Sequence, residues 1–421
     1  MTQAKTDKLA RDTKESVPPF EQHAENTVRR MRGALAELFN TVNADATRLQ
    51  DVARRFGLNK NLTWKISKII QENDASSVIP HIPGTAGIRI FLDAFKKGGA
   101  PEAAIETVRS AVDDFEQMVK IHSGDRATLG MMLGGLSENG ELQQQLENSR
   151  KLAFQGNCAT WGVQARIQLN TTFVAPNPEN PETLDLAMMN GFLDFRRLRS
   201  DIAWTIAARR TTYDDGTPRS TPGIEPLEPT EEDDSGVPFF RSFCSPSLPR
   251  VREIRTPDHV LYHQLEEGPV GNTAAFDCIL AGIVRGGLPR FKGEKNDYHQ
   301  FFATPATPVN VFMMDVYLHK DTGCNLNPEL GIFSNLPGAP HFPAQGFSAG
   351  RLHLGERLES LGSAPPIFTT SEIPQYTKMN KTLLKRVGWN AGDFSGHRVV
   401  IRFPPIPSMV VFRYELQDAS R

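Results

Sequence analysis

Basic, amide and aromatic side chains between positions 48 and 68 form the clearest chemical pattern in the chain. This segment has six basic residues and one acid, Asp51, an excess of five positive charges. The basic residues are Arg48, Arg54, Arg55, Lys60, Lys65 and Lys68. Clustered cations release counterions when they contact the phosphates of a nucleic acid. The pattern therefore favours binding to a phosphate backbone.

Residues 60–71 would place several of these side chains on one face of a helix. At about 100° per residue from Leu62, the apolar residues Leu62, Ile66, Ile69 and Ile70 cluster near 0° to 80°. The residues that fall between about 140° and 260° are Lys60, Asn61, Trp64, Ser67, Lys68 and Gln71. We therefore predict a polar, basic outward face that carries a tryptophan. The predicted DNA-binding residues are Arg54, Arg55, Lys60, Asn61, Trp64, Lys65 and Lys68.

The segment before this helix predicts a second, shorter helix and a tight turn. Leu49, Val52, Ala53 and Phe56 recur at the spacing of one helical face. Gly57 follows at a position that often needs positive φ, which glycine adopts most easily. Asn59 or Asn61 can then cap the next helix by accepting a hydrogen bond from a free amide. The sequence thus predicts two helices joined at Gly57.

Residues 46–71 resemble the helix-turn-helix of bacterial transcription regulators. In that family a small residue, here Ala53, lets the second helix cross closely, and a glycine, here Gly57, makes the turn. The stretch GLNKNLTWKI is similar to the entry to the recognition helix in winged regulators. The resemblance implies double-stranded DNA as a partner. A winged regulator would continue into a β-hairpin, and the residues after Gln71 do not predict one.

Bulk properties limit the classes of protein that the chain can represent. The 421 residues carry a net charge of −2, so affinity for nucleic acid must come from a local patch. The four cysteines include no CxxC pair, which argues against a zinc ribbon or a disulfide framework. We find no export signal and no run of about 18 apolar residues, so we expect a cytoplasmic protein without a membrane span.

No constellation of residues predicts catalysis, a metal site or a cofactor. The histidines do not form an HExxH motif, and GxxxxGK[ST], GxGxxG after a strand and GxSxG are all absent. Enzymes whose sites are assembled from distant residues would lack such motifs as well. An enzyme therefore remains an alternative, and the absence only makes it less favoured.

The pattern of periodicity predicts an α+β chain with four parts. Residues 1–22 are a disordered arm, residues 23–75 the helix-turn-helix domain and residues 76–156 a helical connector. Residues 157–421 form a large, mostly antiparallel α+β body with an acidic flexible loop at 213–238. Within the body, residues 352–361 and 376–387 are predicted helices. The connector carries a near-heptad apolar stripe, which could pack within the bundle or form the seam of a homodimer: Ile105, Val108, Val112, Phe115 and Val119.

Two interpretations from different classes follow. The first is a transcription regulator that binds double-stranded DNA as a homodimer and senses a ligand or partner through its C-terminal body, with a small-molecule effector as a further candidate partner. The second is an enzyme or a structural or interaction protein whose helical head is only a packing module. Binding to duplex DNA at low salt distinguishes them.

Overall fold

The computed structural model describes residues 18–134, 140–210, 223–229, 231, 236–246, 248–257, 260–293, 297–334, 350–363 and 365–419. The chain divides into two compact units, Met1–Leu146 and Glu147–Arg421. The first is helical and the second is built mainly from strands, so the predicted α+β class is confirmed.

The first unit is a bundle of helices around one hydrophobic core. Its helices are α1 (Phe20–Thr41), α2 (Leu49–Phe56), α3 (Lys60–Gln71), α4 (Ala75–Val78), α5 (Thr85–Lys97), α6 (Glu102–His122) and α7 (Arg126–Gly134). Helix α8 (Gly140–Trp161) begins in this unit and ends in the second. Residues 1–17 of the predicted arm lie outside the described residues, and the arm's last residues already belong to α1, which begins at Phe20.

Helices α1 and α6 form the centre of this bundle. Arg30 of α1 pairs with Asp114 at 2.7 Å, and the ring of Phe20 contacts His122, so the two helices are antiparallel. One continuous core runs from Ala24 to Leu133. The division between the two units falls at Leu146 and Glu147, whereas the predicted boundary between the helix-turn-helix domain and the helical connector lies at residue 75.

The predicted dimer seam is part of this core. Every residue of the stripe is buried: Ile105, Val108, Val112, Phe115 and Val119. The stripe packs inside its own bundle, which was one of the two alternatives. Its burial removes the observation that motivated the homodimer, and dimerisation itself stays a prediction.

The second unit is organised around a seven-stranded sheet with the order β11-β12-β9-β1-β2-β7-β4. The strands of the unit are β1 (Val163–Pro176), β2 (Thr183–Arg197), β3 (Trp204–Arg210), β4 (Glu225–Pro226), β5 (Val251–Arg255), β6 (Val260–Leu265), β7 (Phe276–Pro289), β8 (Tyr298–Ala303), β9 (Val309–His319), β10 (Glu329–Ser334), β11 (Glu359–Ser363), β12 (Phe394–Arg402) and β13 (Ser408–Glu415). Strands β1 and β9 are parallel, and the other pairs are antiparallel. The prediction of a mostly antiparallel body is confirmed.

Both faces of the central sheet are covered. Residues of two three-stranded sheets, β10-β13-β8 and β3-β6-β5, share a core with one face. Helix α9 (Tyr376–Val387) packs on the other face, as the helix prediction for residues 376–387 expected.

One prediction for the body is wrong and a second is wrong in part. Residues 352–361 are not helical, because Leu352, Leu354 and Leu358 pack against the core as alternate residues of an extended chain that leads into β11. Of the acidic loop, residues 213–222, 230 and 232–235 lie outside the described residues. Its described part is docked: β4 pairs with β7, and Glu228 is buried and accepts a hydrogen bond from Ser242 Oγ at 2.5 Å.

Candidate nucleic-acid interface

The turn between α2 and α3 depends on Gly57. Helix α2 ends there with a φ of 64°, in the left-handed region that an L side chain rarely adopts. The amide of Leu58 then donates to the carbonyl oxygen of Ala53 at 2.9 Å, which closes the last turn. Leu58 returns to the core and redirects the chain towards α3. The turn therefore lies at the position that the sequence predicted.

Asn59 caps the start of α3. Its side-chain oxygen accepts a hydrogen bond from the amide of Asn61 at 2.8 Å, and the hydroxyl of Thr63 donates to its carbonyl oxygen at 3.1 Å. Of the two asparagines proposed as caps, Asn59 has this role. The Asn61 side chain is exposed on the first turn of the helix, where it can contact a partner.

The inner face of α3 is held from several directions. Ile66 and Ile69 are fully buried in the core of the bundle. Ser67, which the angular projection placed on the outward face, is also buried and donates to the carbonyl oxygen of Ala46 at 2.6 Å. That prediction was wrong because residues of the loop before α2 cover the helix at this angle.

The C-terminal end of α3 is capped by an arginine from α1. Arg32 donates from Nε to the carbonyl oxygen of Ile69 at 3.2 Å and from Nη2 to the carbonyl oxygen of Glu72. A guanidinium at this end satisfies carbonyls that lack a helical partner and offsets the negative end of the helix dipole. Arg32 therefore fixes the position of α3.

The outer face of α3 presents the predicted side chains with unequal exposure. Lys60 and Asn61 are exposed, and Trp64 keeps 39% of its surface accessible. Lys65 and Lys68 are half-buried. The Trp64 ring meets His81 edge-on, with centroids 5.0 Å apart, so its orientation is defined by a contact that the sequence did not predict.

Three of the six cations of the segment have acidic partners. Arg48 lies 3.7 Å from Asp45, Arg54 lies 3.6 Å from Asp51, and Lys68 lies 2.9 Å from Glu72. Asp45 and Glu72 lie just outside the counted segment. Over residues 45–72 the excess therefore falls from five positive charges to three.

The other three cations differ in how they are held. Arg55 donates to the carbonyl oxygen of Asn43 at 3.2 Å, so its position is fixed while its charge is not neutralised. Within the described part of the chain, Lys60 and Lys65 have no acidic partner. Arg55, Lys60 and Lys65 are therefore the cations with charge available for an anion.

The second unit contains a buried ionic cluster that the sequence analysis did not find. The Asp315 carboxylate accepts hydrogen bonds from Nε and Nη2 of Arg398 at 2.9 and 2.7 Å. It also accepts hydrogen bonds from the hydroxyls of Tyr317 and Tyr376, each at 2.8 Å. Burial, and then the negative charge of Asp315, raise the pKa of both tyrosines. Arg398 is 83 residues from Asp315 in the chain, so no local pattern announces the pair.

This cluster links β9, β12 and α9 and has the character of a structural element. Burial lowers the pKa of Arg398, but the hydrogen bonds and charge of Asp315 outweigh it and hold that pKa above the usual value. Oδ1 of Asp315 accepts one hydrogen bond and Oδ2 accepts three, so each carboxylate oxygen has a partner within the cluster.

Two other kinds of feature are absent from the described residues. In these residues no three His, Cys, Asp or Glu side chains lie close enough together to bind one metal ion. They also contain no helix with the length and apolar character required to cross a membrane. Comparisons with protein-family models, with curated proteins and with solved structures found no match.

Proposed function

We propose that this protein is a DNA-binding transcription regulator that contacts duplex DNA through the outer face of α3. The observation that carries the proposal is the combination of Lys60, Asn61 and Trp64 exposed on a helix whose inner face is fixed by Ile66 and Ile69. A helix of 12 residues is about 18 Å long and fits the major groove.

Some of these side chains would position the helix on the duplex, and others would recognise the base sequence. Lys60, Lys65 and Arg55 would contact phosphates, which fixes the helix on the duplex without reading sequence. Asn61 would pair with the N6 and N7 groups of an adenine, and Trp64 offers an apolar surface to a thymine methyl group. Arg54 and Lys68 would exchange their acidic partners for phosphates.

The remainder of the proposal concerns location and the second unit. All four cysteines are free, which fits a reducing cytoplasm. We propose that the second unit senses a ligand or partner. The α+β fold is compatible with this role and with an enzyme, so DNA binding is the part to test first.

The test is titration of the full chain with random and selected duplexes at several salt concentrations. Lys60→Ala should lower the slope of log K against log salt by about 0.9 on every duplex. Lys120→Ala removes another exposed lysine, on α6, and should leave the slope unchanged. Asn61→Ala should cost about 1–3 kcal/mol on the selected site and little on random DNA.

Trp64 provides a direct optical signal. Its fluorescence should change on addition of duplex DNA, and Trp64→Phe should abolish the change while the other three tryptophans remain. If the wild-type chain binds no duplex at about 50 mM salt, where non-specific binding should be strong, the helical unit is a packing module and the proposal fails.

A further inference from the structure

Two histidines meet where α1 begins and α6 ends. His23 lies in the first turns of α1, and His122 is the last residue of α6. Nδ1 of His23 lies 3.0 Å from Nε2 of His122, and the two rings are tilted by 77° to each other. Both residues are half-buried, so solvent can reach the pair. The pair belongs to helices other than α3, and its use does not depend on DNA binding.

The separation of the two nitrogens matches that of adjacent ligands on one metal ion. Imidazole nitrogens lie about 2.0–2.1 Å from a first-row metal such as zinc. At that bond length, two nitrogens 3.0 Å apart subtend an angle of about 95° at the metal. A tetrahedral metal would separate them by about 3.3–3.4 Å. The angle is therefore closer to the right angle of the tetragonal sites that Cu²⁺ and Ni²⁺ prefer.

A small rearrangement would convert the hydrogen bond into a pair of metal ligands. In a neutral pair one ring nitrogen donates its proton to the other, whereas a metal needs both lone pairs. The donated proton can move to the other nitrogen of its own ring, because a neutral imidazole carries its proton on either nitrogen. The χ2 torsion of histidine is broad, so both rings can turn towards a shared ion at little cost.

The surroundings orient the pair and favour its neutral form. The Phe20 ring meets His122 edge-on, with centroids 5.6 Å apart, so this ring has a second contact. Burial, and then the charge of His23, lower the pKa of His122, which favours the neutral imidazole that a metal requires. The charge of Glu21 acts on the pKa of His122 in the opposite sense. A carboxylate therefore lies near enough to attract a cation.

We propose that His23 and His122 bind one divalent transition metal ion of the Cu²⁺ or Ni²⁺ type, with water completing its coordination. Two protein ligands are fewer than the three that the described residues nowhere bring together. Because the two histidines are 99 residues apart in the chain, the ion would join the start of α1 to the end of α6. Binding only to the folded chain, it would stabilise the helical unit by mass action.

Thermal unfolding of the metal-free full chain with increasing Ni²⁺ tests this site. Ni²⁺ is the suitable probe because, unlike Cu²⁺, it does not oxidise the free cysteines. The unfolding midpoint of the wild-type helical unit should rise with Ni²⁺ concentration. His23→Gln and His122→Gln should each weaken Ni²⁺ binding by at least about tenfold, because loss of a group that only supports a ligand already costs about 10–100-fold. His81→Gln removes another half-buried histidine of this unit and should keep the full rise.

Glutamine can still hydrogen-bond to the remaining histidine, so the two variants lose a metal ligand and keep a polar contact. Circular dichroism establishes that each variant is folded. In samples frozen at once with one equivalent of Cu²⁺, electron paramagnetic resonance should show coupling to two imidazole nitrogens in wild type and fewer in both variants. An unchanged midpoint up to about 1 mM Ni²⁺, a rise that survives either glutamine substitution, or equal nitrogen coupling in wild type and variants would each overturn the proposed site.

Discussion

Glu72 should limit the affinity of the proposed DNA-binding face. Its carboxylate lies 2.9 Å from the ammonium of Lys68, so any phosphate that Lys68 approaches must compete with it. Glu72→Gln removes that competitor and one negative charge while keeping the size of the side chain. It also leaves the Glu72 carbonyl oxygen in place to accept the hydrogen bond from Arg32. We therefore expect Glu72→Gln to bind duplex DNA more tightly than wild type.

The size of the effect follows from counterion release. If Lys68 gains one phosphate contact in place of Glu72, the slope of log K against log salt becomes steeper by about 0.9. Between about 50 and 200 mM salt the variant should therefore lose about 3.5-fold more affinity than wild type. The cost in stability is small: the side chains of Lys68 and Glu72 are 29% and 42% exposed, and such pairs contribute about 0.3–0.5 kcal/mol at most.

Fluorescence anisotropy of a labelled duplex at four or five salt concentrations measures this slope. Glu179→Gln is the matched control, because it makes the same change in net charge at an exposed position of the second unit. Equal slopes for Glu72→Gln and wild type would show that Lys68 does not reach phosphate. Equal gains for Glu72→Gln and Glu179→Gln would show that only the overall charge matters.

Three further predictions concern stability and are measured by denaturation of the full chain. Ile66→Ala should lower the free energy of unfolding of the helical unit by about 2–5 kcal/mol by opening a cavity, with no change in the salt slope of the folded fraction. Asn380→Leu should raise the stability of the second unit by about 1–3 kcal/mol, because the buried Asn380 amide has no hydrogen-bond partner among the described residues. A loss of stability in this variant would refute the prediction. Burial, and then the nearby His23 ring at 3.0 Å, lower the pKa of His122 below 6.5 in the folded protein. His122 therefore binds a proton more readily in the unfolded chain than in the folded one. Stability should therefore fall as the pH drops below about 6.5, and His122→Gln should flatten this part of the curve for the helical unit.

The parts of the interface that sequence analysis predicted are those fixed by neighbouring residues. Gly57 adopts a left-handed φ angle that glycine takes most easily, and Asn59 caps a helix that starts one residue later. The apolar stripe of α3 likewise depends on residues three and four positions apart. Such features are visible in a window of about 25 residues, which is why the two helices and their turn were located correctly.

The parts that were missed are formed by residues distant in the chain. Arg32 reaches the end of α3 from 40 positions away, and Ala46 covers Ser67 from 21 positions away. The charge excess was overestimated for a related reason. Asp45 and Glu72 lie only a few residues outside the segment, but their pairing depends on the local fold and cannot be counted from composition.

Helix α6 shows the limit of periodicity as evidence for a partner. Its near-heptad stripe correctly indicates a buried face, but the period does not say whether that face meets another chain or its own bundle. The groove between α1 and α6 is lined by small residues without a distinctive pattern, such as Ala103 and Thr107. Their arrangement beside α1 becomes visible only once the two helices are packed.

Helix α1 contacts its neighbours from two sides. Arg30 contacts Asp114 of α6, whereas Arg32, two residues later, caps the end of α3. Two residues correspond to about 200° around a helix, so the two side chains project from nearly opposite sides. A change at Arg30 should therefore leave the position of α3 unchanged. Loss of the Trp64 fluorescence response to DNA in a folded Lys60→Ala variant would assign the defect to α3.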